Sequence, residues 1–242
     1  MLEAQRLAQE VIMNLIIAGL GPGNGEFITF EAQTSAQMSD LIIVPRSKPD
    51  VPGLAEKIIR RCVDEKVFMP VYFPMINDEF ERSRIIHEQL ISSKSQWENA
   101  KTIFFPVIGD SVLYSTGAYL VDEMSKIVPE LDTKFIPGIS AHSLAASCAK
   151  KFLAMKDEIL AIIPGTAESE KIIHTLKSSD CAAIYKPKSI KNIHSIINPE
   201  DYAKILRVDF AGIPEREKII EGPQAIENIN EYISILLLWK NY

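Results

Sequence analysis

Cysteine is scarce in this 242-residue chain: Cys62, Cys148 and Cys181 are far apart, odd in number and form no CxxC pair. Neither a disulfide framework nor a structural zinc site is therefore indicated, and reduced, buried thiols are expected. Long apolar runs are missing too. The stretches 15–20 and 235–239 fall far short of the roughly 20 residues a helix needs to cross a bilayer, so no membrane span is read. Positive charge is not in excess, because 26 Lys and Arg stand against 32 Asp and Glu for a net charge of -6. A long polyanion would meet overall repulsion, which argues against nucleic acid as a partner. His87, His142, His174 and His194 show no HExxH or other ligand spacing, and no protein-bound metal is expected. The first residues carry Glu3 and Glu10 and lack a basic start, an apolar stretch and a small-residue cleavage site. No secretory signal is read there, and the cytoplasm is the expected location.

What is present is an ordinary globular composition, with 47% hydrophobic and 24% charged residues. Short β-rich runs at 14–18, 41–44, 67–71, 102–107 and 134–136 alternate with longer segments of helical spacing. In the segment 78–99, Ile86, Leu90 and Trp97 share one face while Glu79, Arg82, Glu88 and Lys94 face water, so a single covering helix is expected. Such alternation requires crossover connections and predicts a mainly parallel sheet covered by helices. A second series of strands is read at 159–163, 181–185, 205–208, 218–220 and 232–238. The last three lie too close together for crossover helices and predict antiparallel pairing in a mixed sheet. The expected fold class is α/β, with two α/β domains, 1–137 and 138–242, and an active-site cleft between them. Residues 1–13 read as an extra amphipathic helix with no implied chemistry.

The strongest local feature runs from Leu15 to Gly25, a buried-type strand entering a loop with glycines at 19, 21, 23 and 25. Glycine removes the side chain and permits positive φ, so backbone can approach a ligand at the carboxyl end of a strand. A dinucleotide fingerprint fails, because Asn24 or Glu26 stands where its last glycine belongs; Arg46 keeps an NADP phosphate contact open. A second strand runs into Gly109, Asp110 and the hydroxyl-bearing Ser111, Ser115 and Thr116, a second pocket edge, with helix capping by Asp110 or Ser111 the alternative. A third, from Ile136 to Ser143, superficially resembles the nucleophile elbow of a hydrolase, but His142 occupies its final glycine position. Ser140 reads more simply as a helix cap.

In their order and spacing these loops resemble the tetrapyrrole methylase family, whose members transfer methyl groups from S-adenosylmethionine to precorrins, uroporphyrinogen and related substrates. The resemblance rests on Gly19 to Gly23 with Thr29, on Gly109-Asp110 with Tyr114-Ser115-Thr116, on Pro137 to Ala141, and on Tyr185. Phe73-Pro74-Met75 with Asp78, together with 162–166, look most like the precorrin-2 C20-methyltransferases of that family. This implies a C-methyltransferase acting on precorrin-2 or its cobalt complex, with another tetrapyrrole position or a noncatalytic binding member as alternatives. It also implies a homodimer.

By the same resemblance, Pro22, Ile108, Gly109, Asp110 and Leu113 are expected to bind cofactor. Ser115, Thr116, Ser140 and Ala141 are expected to join them, as are Tyr185, Lys186, Ala211 and Gly212. Gly21, Gly23, Tyr114, Arg46 and Lys48 are expected on the substrate side, the last two as a basic rim for its carboxylates. Two departures from the family pattern stand out: Ser111 replaces a usual proline, and Asn24-Gly25 replaces an acid-proline pair. No residue matches the acid that many members carry after the second strand, so no catalytic acid or base is assigned.

Overall fold

The computed structural model describes residues 13–241; the helix read at 1–13 lies outside them except for Met13, which is buried. The chain divides into two compact units, the first ending at Ile139 and the second beginning at Ser140.

The first unit is built on five strands, β1 (Asn14–Gly19), β2 (Leu41–Arg46), β3 (Phe68–Tyr72), β4 (Thr102–Val107) and β5 (Asp132–Ile136), in the order β3-β2-β4-β1-β5. Every pairing is parallel. The centre of the sheet reads as unbroken apolar runs because helices cover both faces. Alternate residues divide between two cores. Leu15, Ile17, Ile43 and Phe105 face α3 (Glu79–Ser92), α4 (Lys94–Trp97) and α5 (Gly117–Ile127), while Ile16, Ala18, Ile42 and Phe104 face α1 (Phe30–Met38) and α2 (Leu54–Cys62). Thr29 caps α1 by accepting the Ala32 N–H at 3.2 Å, and Asp78 caps α3 by accepting that of Glu81 at 3.0 Å.

The single helix expected over 78–99 is broken at Ser93. Its φ of −99° and ψ of 12° leave the helical region, and its hydroxyl donates to the Gln89 carbonyl at 2.6 Å, competing with the backbone ladder. Trp97 nevertheless reaches the core and donates its indole N–H to the Leu90 carbonyl at 2.9 Å.

The second unit carries a mixed sheet of β6 (Leu160–Pro164), β7 (Cys181–Tyr185), β8 (Tyr202–Asp209), β9 (Lys218–Glu221) and β10 (Ser234–Lys240), in the order β6-β7-β10-β8-β9. Only β6 and β7 are parallel, and α7 (Ser169–Ser178) lies between them in the chain; the other three pairings are antiparallel. The apolar residues Ile172 and Leu176 of α7 pack with Ile184, Leu236 and Leu238. They share this core with Ile193 and Ile196 of α8 (Ile193–Ile196). Helix α6 (Ala141–Cys148) precedes the sheet. Strand β10 starts at Ser234, later than its sequence pattern, although the Ile233 carbonyl still accepts the Phe210 N–H at 2.9 Å in the register of the β8–β10 pair.

Charge also fastens the first unit. Glu56 of α2 is 1% exposed and receives Arg46 of β2 twice, at 2.7 and 2.8 Å, and Arg60 at 2.8 Å. The Arg46 bonds hold the Glu56 carboxyl below its ordinary range, and Arg46 is raised in turn. A carboxylate with a depressed folded value adds stability above its unfolded value that disappears as pH falls through the folded one. Glu56→Gln is expected to cost about 3–5 kcal/mol at neutral pH, and its chemical-denaturation stability should fall less steeply than the wild type's between neutrality and acid.

Candidate functional site

Because all strands of the first sheet are parallel, their carboxyl ends share one edge. The connection leaving β1 runs to β2 on one side, whereas that leaving β4 runs to β5 on the other. Beyond these loops the chain therefore departs in opposite directions, the switch-point arrangement at which open α/β sheets bind ligands. The glycine loop after β1 and the Gly109 loop after β4 emerge at this place.

The two loops are laced together by reciprocal main-chain bonds: Gly21 N–H donates to Gly109 O at 3.1 Å, and Gly109 N–H donates to Gly21 O at 2.9 Å. Glycine is required here by contact. A Cβ on Gly19 would sit 2.5 Å from Gly109 O and 2.7 Å from Gly138 N, and one on Gly138 would strike the same Gly109 oxygen. Gly21, at φ +73°, would clash with Phe27 at 2.6 Å. Gly109 differs. It has φ +78°, but a Cβ there would meet no heavy atom within 4 Å, so its bare α-carbon borders open space.

The residues predicted around this edge are brought together in part. Pro22 is buried, while Gly23, at φ +115°, and Leu113 are half-buried. Ile108 is exposed, and Asp110 accepts the Val112 N–H at 3.3 Å, so it forms a local turn and does not cap α5. Ser115 accepts the Gly117 N–H at 3.0 Å, and Thr116 is the capping residue of α5 without a side-chain bond. Tyr114 is held at φ +50°, and burial pushes its phenol above the ordinary value. Ser111 is 2% exposed, and its hydroxyl has no hydrogen-bond partner among the described residues.

Arg46 sits at the predicted edge but does not offer its charge. Its Nε and one terminal nitrogen bind Glu56, and the other donates to the Pro49 carbonyl at 3.0 Å. Lys48, next along the loop, is exposed. Sequence patterning missed this pairing because Glu56 is a helical residue ten positions on.

In the second unit the predicted residues lie at two strand ends and one helix end. Ser140 is the capping residue of α6; its carbonyl accepts the Leu144 N–H at 3.2 Å and its hydroxyl makes no capping bond. Tyr185 ends β7, and Lys186 follows at φ +54° with its ammonium 4.8 Å from the centre of the Tyr232 ring. Phe210 at φ +53° leads into Ala211 and Gly212 at φ +78°. Glu217, which no sequence signal marked, holds this turn by accepting the Gly212 N–H at 2.8 Å. It also takes the Cys148 thiol at 3.2 Å. Burial and Glu217 push that thiol up to about 11, so it is unreactive near neutrality. Cys181 is buried, whereas Cys62 and Cys148 are only half-buried; all three are unbridged. No group of three or more potential metal ligands occurs among the described residues, and none of their helices is long and apolar enough to cross a membrane.

Residues 14–225 match the profile of the Tetrapyrrole (Corrin/Porphyrin) Methylases. A protein of Methanocaldococcus jannaschii named probable cobalt-precorrin-2 C(20)-methyltransferase is 30% identical over 91% of this chain and 93% of its own. The Salmonella typhimurium cobalt-precorrin-2 C(20)-methyltransferase is 28% identical over 69% of each. Among solved structures, the cobalamin-synthesis-related protein CobF of Corynebacterium diphtheriae superposes with a TM-score of 0.71 at 19% identity, over 95% of this chain and 99% of that one. Uroporphyrin-III C-methyl transferase of Thermus thermophilus complexed with S-adenyl homocysteine gives 0.65 at 14% identity, over 94% and 97%.

An unpaired buried hydroxyl costs about 1–3 kcal/mol. Ser111→Ala is therefore expected to raise the unfolding midpoint in the absence of ligand, as thermal denaturation would show, and an unchanged or lower midpoint would mean that the hydroxyl is satisfied.

Proposed function

Because the chain belongs to the tetrapyrrole methylase family, we propose that it is an S-adenosylmethionine-dependent C-methyltransferase that methylates C20 of cobalt-precorrin-2 or precorrin-2. The observation that supports this most directly is the switch-point edge of the first unit. There two glycine loops are joined backbone to backbone, and the α-carbon of Gly109 is left unobstructed. The two relatives named for cobalt-precorrin-2 C20 methylation favour that substrate over other tetrapyrroles.

The residues fit the cofactor. Gly109 offers main chain without a side chain in the way, beside a buried hydroxyl on Ser111 that has no hydrogen-bond partner among the described residues. Pro22, Ile108, Asp110, Leu113, Ser115 and Thr116 would serve it from the first unit. Ser140, Ala141, Tyr185, Lys186, Ala211 and Gly212 keep the cofactor role that the family resemblance implies for them. Tyr114, Lys186 and Phe210 hold the left-handed backbone region without being glycine, a cost of about 1–3 kcal/mol each that tends to be kept at ligand sites. When bound, the sulfonium supplies an electrophilic methyl group. The protein's part is to orient the acceptor carbon and keep water away, which is positioning more than acid–base chemistry.

The same edge suits a large flat acceptor. Phe30, Met75, Phe80, Val112, Tyr114 and Ile139 all follow carboxyl ends of first-unit strands and are all exposed. Exposed apolar side chains gathered on one edge mark a binding surface. Gly21 and Gly23 would bring backbone close to the macrocycle, and Lys48 is the cation we assign to its carboxylates. We assign Arg46 to the fold instead, through Glu56. A cytoplasmic homodimer is the setting this reading carries.

Incubation with labelled S-adenosylmethionine and both forms of precorrin-2 should place label on C20 of one product; cofactor binding without turnover on either would indicate a binding member of the fold. Gly109→Val is strained at φ +78°, so its fold is checked first by circular dichroism; the folded variant should lose S-adenosylmethionine affinity by calorimetry at least tenfold, about 1.4 kcal/mol, and unchanged affinity would remove Gly109 from the site. Lys48→Glu should raise KM for the tetrapyrrole while leaving cofactor affinity intact.

A further inference from the structure

His142 looks incidental in sequence, yet it is buried in the first turn of α6 and aimed at a residue 43 positions away. Its Nδ1 lies 2.8 Å from the Tyr185 hydroxyl, and its own main-chain N–H donates to that oxygen at 3.4 Å. The two rings meet edge to face, with centroids 5.9 Å apart and planes at 68°. One residue thus grips the phenol twice.

Tyr185 is held from its backbone as well. Its carbonyl accepts the Gly165 N–H at 2.7 Å, and a Cβ on Gly165 would lie 2.9 Å from that same oxygen, so the turn after β6 is pressed against the end of β7. Lys186, immediately after, is in the left-handed region. With the main chain pinned, the remaining freedom at this position is the direction of the phenolic hydroxyl. A phenol has one hydrogen and two acceptor sites, and a main-chain donor together with an imidazole nitrogen restricts its rotation from two directions.

We propose that His142 is a positioning residue for the methyl-transfer reaction: through Nδ1 and its main-chain N–H it fixes the Tyr185 hydroxyl in the orientation used to bind S-adenosylmethionine. This rests on the reading of Tyr185 as a cofactor residue. A polar contact fixed before binding loses no rotor freedom when the ligand arrives, so the effect falls on affinity for the cofactor and leaves affinity for the tetrapyrrole alone. It also explains a histidine where the packing of α6 asks only for small apolar residues such as Ala145 and Ala146, both buried.

The side-chain amide of asparagine places a polar atom where Nδ1 stands, whereas glutamine places it one bond further out. In the full-length chain, His142→Gln is expected to weaken S-adenosylmethionine binding by about tenfold, the equivalent of one good hydrogen bond. His142→Asn should stay close to wild type. Tyr185→Phe should show the same loss as His142→Gln, and the double variant no more, because both remove one linkage. KM for the tetrapyrrole should hold throughout. Equal affinities for all variants, equal losses for the Asn and Gln variants, or losses that multiply in the double variant would each overturn the proposal while leaving the cofactor reading in place. Failure of the wild-type chain to bind S-adenosylmethionine would overturn both.

Discussion

The first unit depends on how closely three stretches of backbone can approach. Gly19 ends β1, and Gly109 and Gly138 stand two residues beyond β4 and β5, the strands on either side of it; a Cβ on Gly19 or on Gly138 would collide with the main chain of the other two glycines. Their contact draws the ends of these strands together and permits the reciprocal Gly21–Gly109 bonds. The strand order then decides that the chain departs from β1 and β4 in opposite directions. Topology therefore makes this edge the place where an open α/β sheet binds ligands, and glycine keeps backbone rather than side chains there. Gly138 belongs to this contact.

The ten strands of the described residues were legible because each is a short apolar or β-branched run closed by glycine, proline or a charged turn. The mixed pairing of the second sheet followed from how little chain separates its last strands. What escaped detection was decided by partners distant in sequence or by backbone geometry that composition does not encode. Ser93 breaks a helix whose apolar spacing continues unbroken through it, because a hydroxyl can bond backward to Gln89. Arg46 reads as a basic rim until Glu56 is seen to take its guanidinium. Tyr114, Lys186 and Phe210 adopt positive φ without the glycine that usually announces it. His142 and Tyr185 carry no shared spacing at all. The glycine positions of the site could be read from local pattern, whereas the polar contacts that orient it could not.

Electrostatics at the first unit's edge follows from the same accounting of partners. The chain carries a net charge of -6, which is unfavourable for a substrate rich in carboxylates unless local charge runs the other way. Pairing Arg46 with Glu56 removes one obvious cation and leaves exposed apolar residues such as Met75, Phe80 and Val112 at this edge, together with exposed polar ones such as Asn77 and Lys48. Under the function proposed above, a molecule flat and apolar at its centre and acidic at its margin would displace water from Met75, Phe80 and Val112 and turn its carboxylates to solvent or to Lys48.

Ser111 shows how the turn after β4 manages without the proline that the family resemblance leads one to expect. Proline would fix φ and remove a main-chain donor, making the turn rigid by covalent means. Serine does neither, and it adds a buried hydroxyl with no hydrogen-bond partner among the described residues. Rigidity must then come from bonds on either side. Gly109 is tied twice to Gly21, Asp110 accepts from Val112, and Ser115 accepts from Gly117 at the entry to α5. These bonds bracket Ser111 within a few residues in both directions, so the turn keeps a defined course even though its central residue contributes no restraint of its own. The stability lost at the hydroxyl is local, while the geometry that leaves Gly109 unobstructed is set by the glycine contact beneath it and does not depend on which residue stands at position 111.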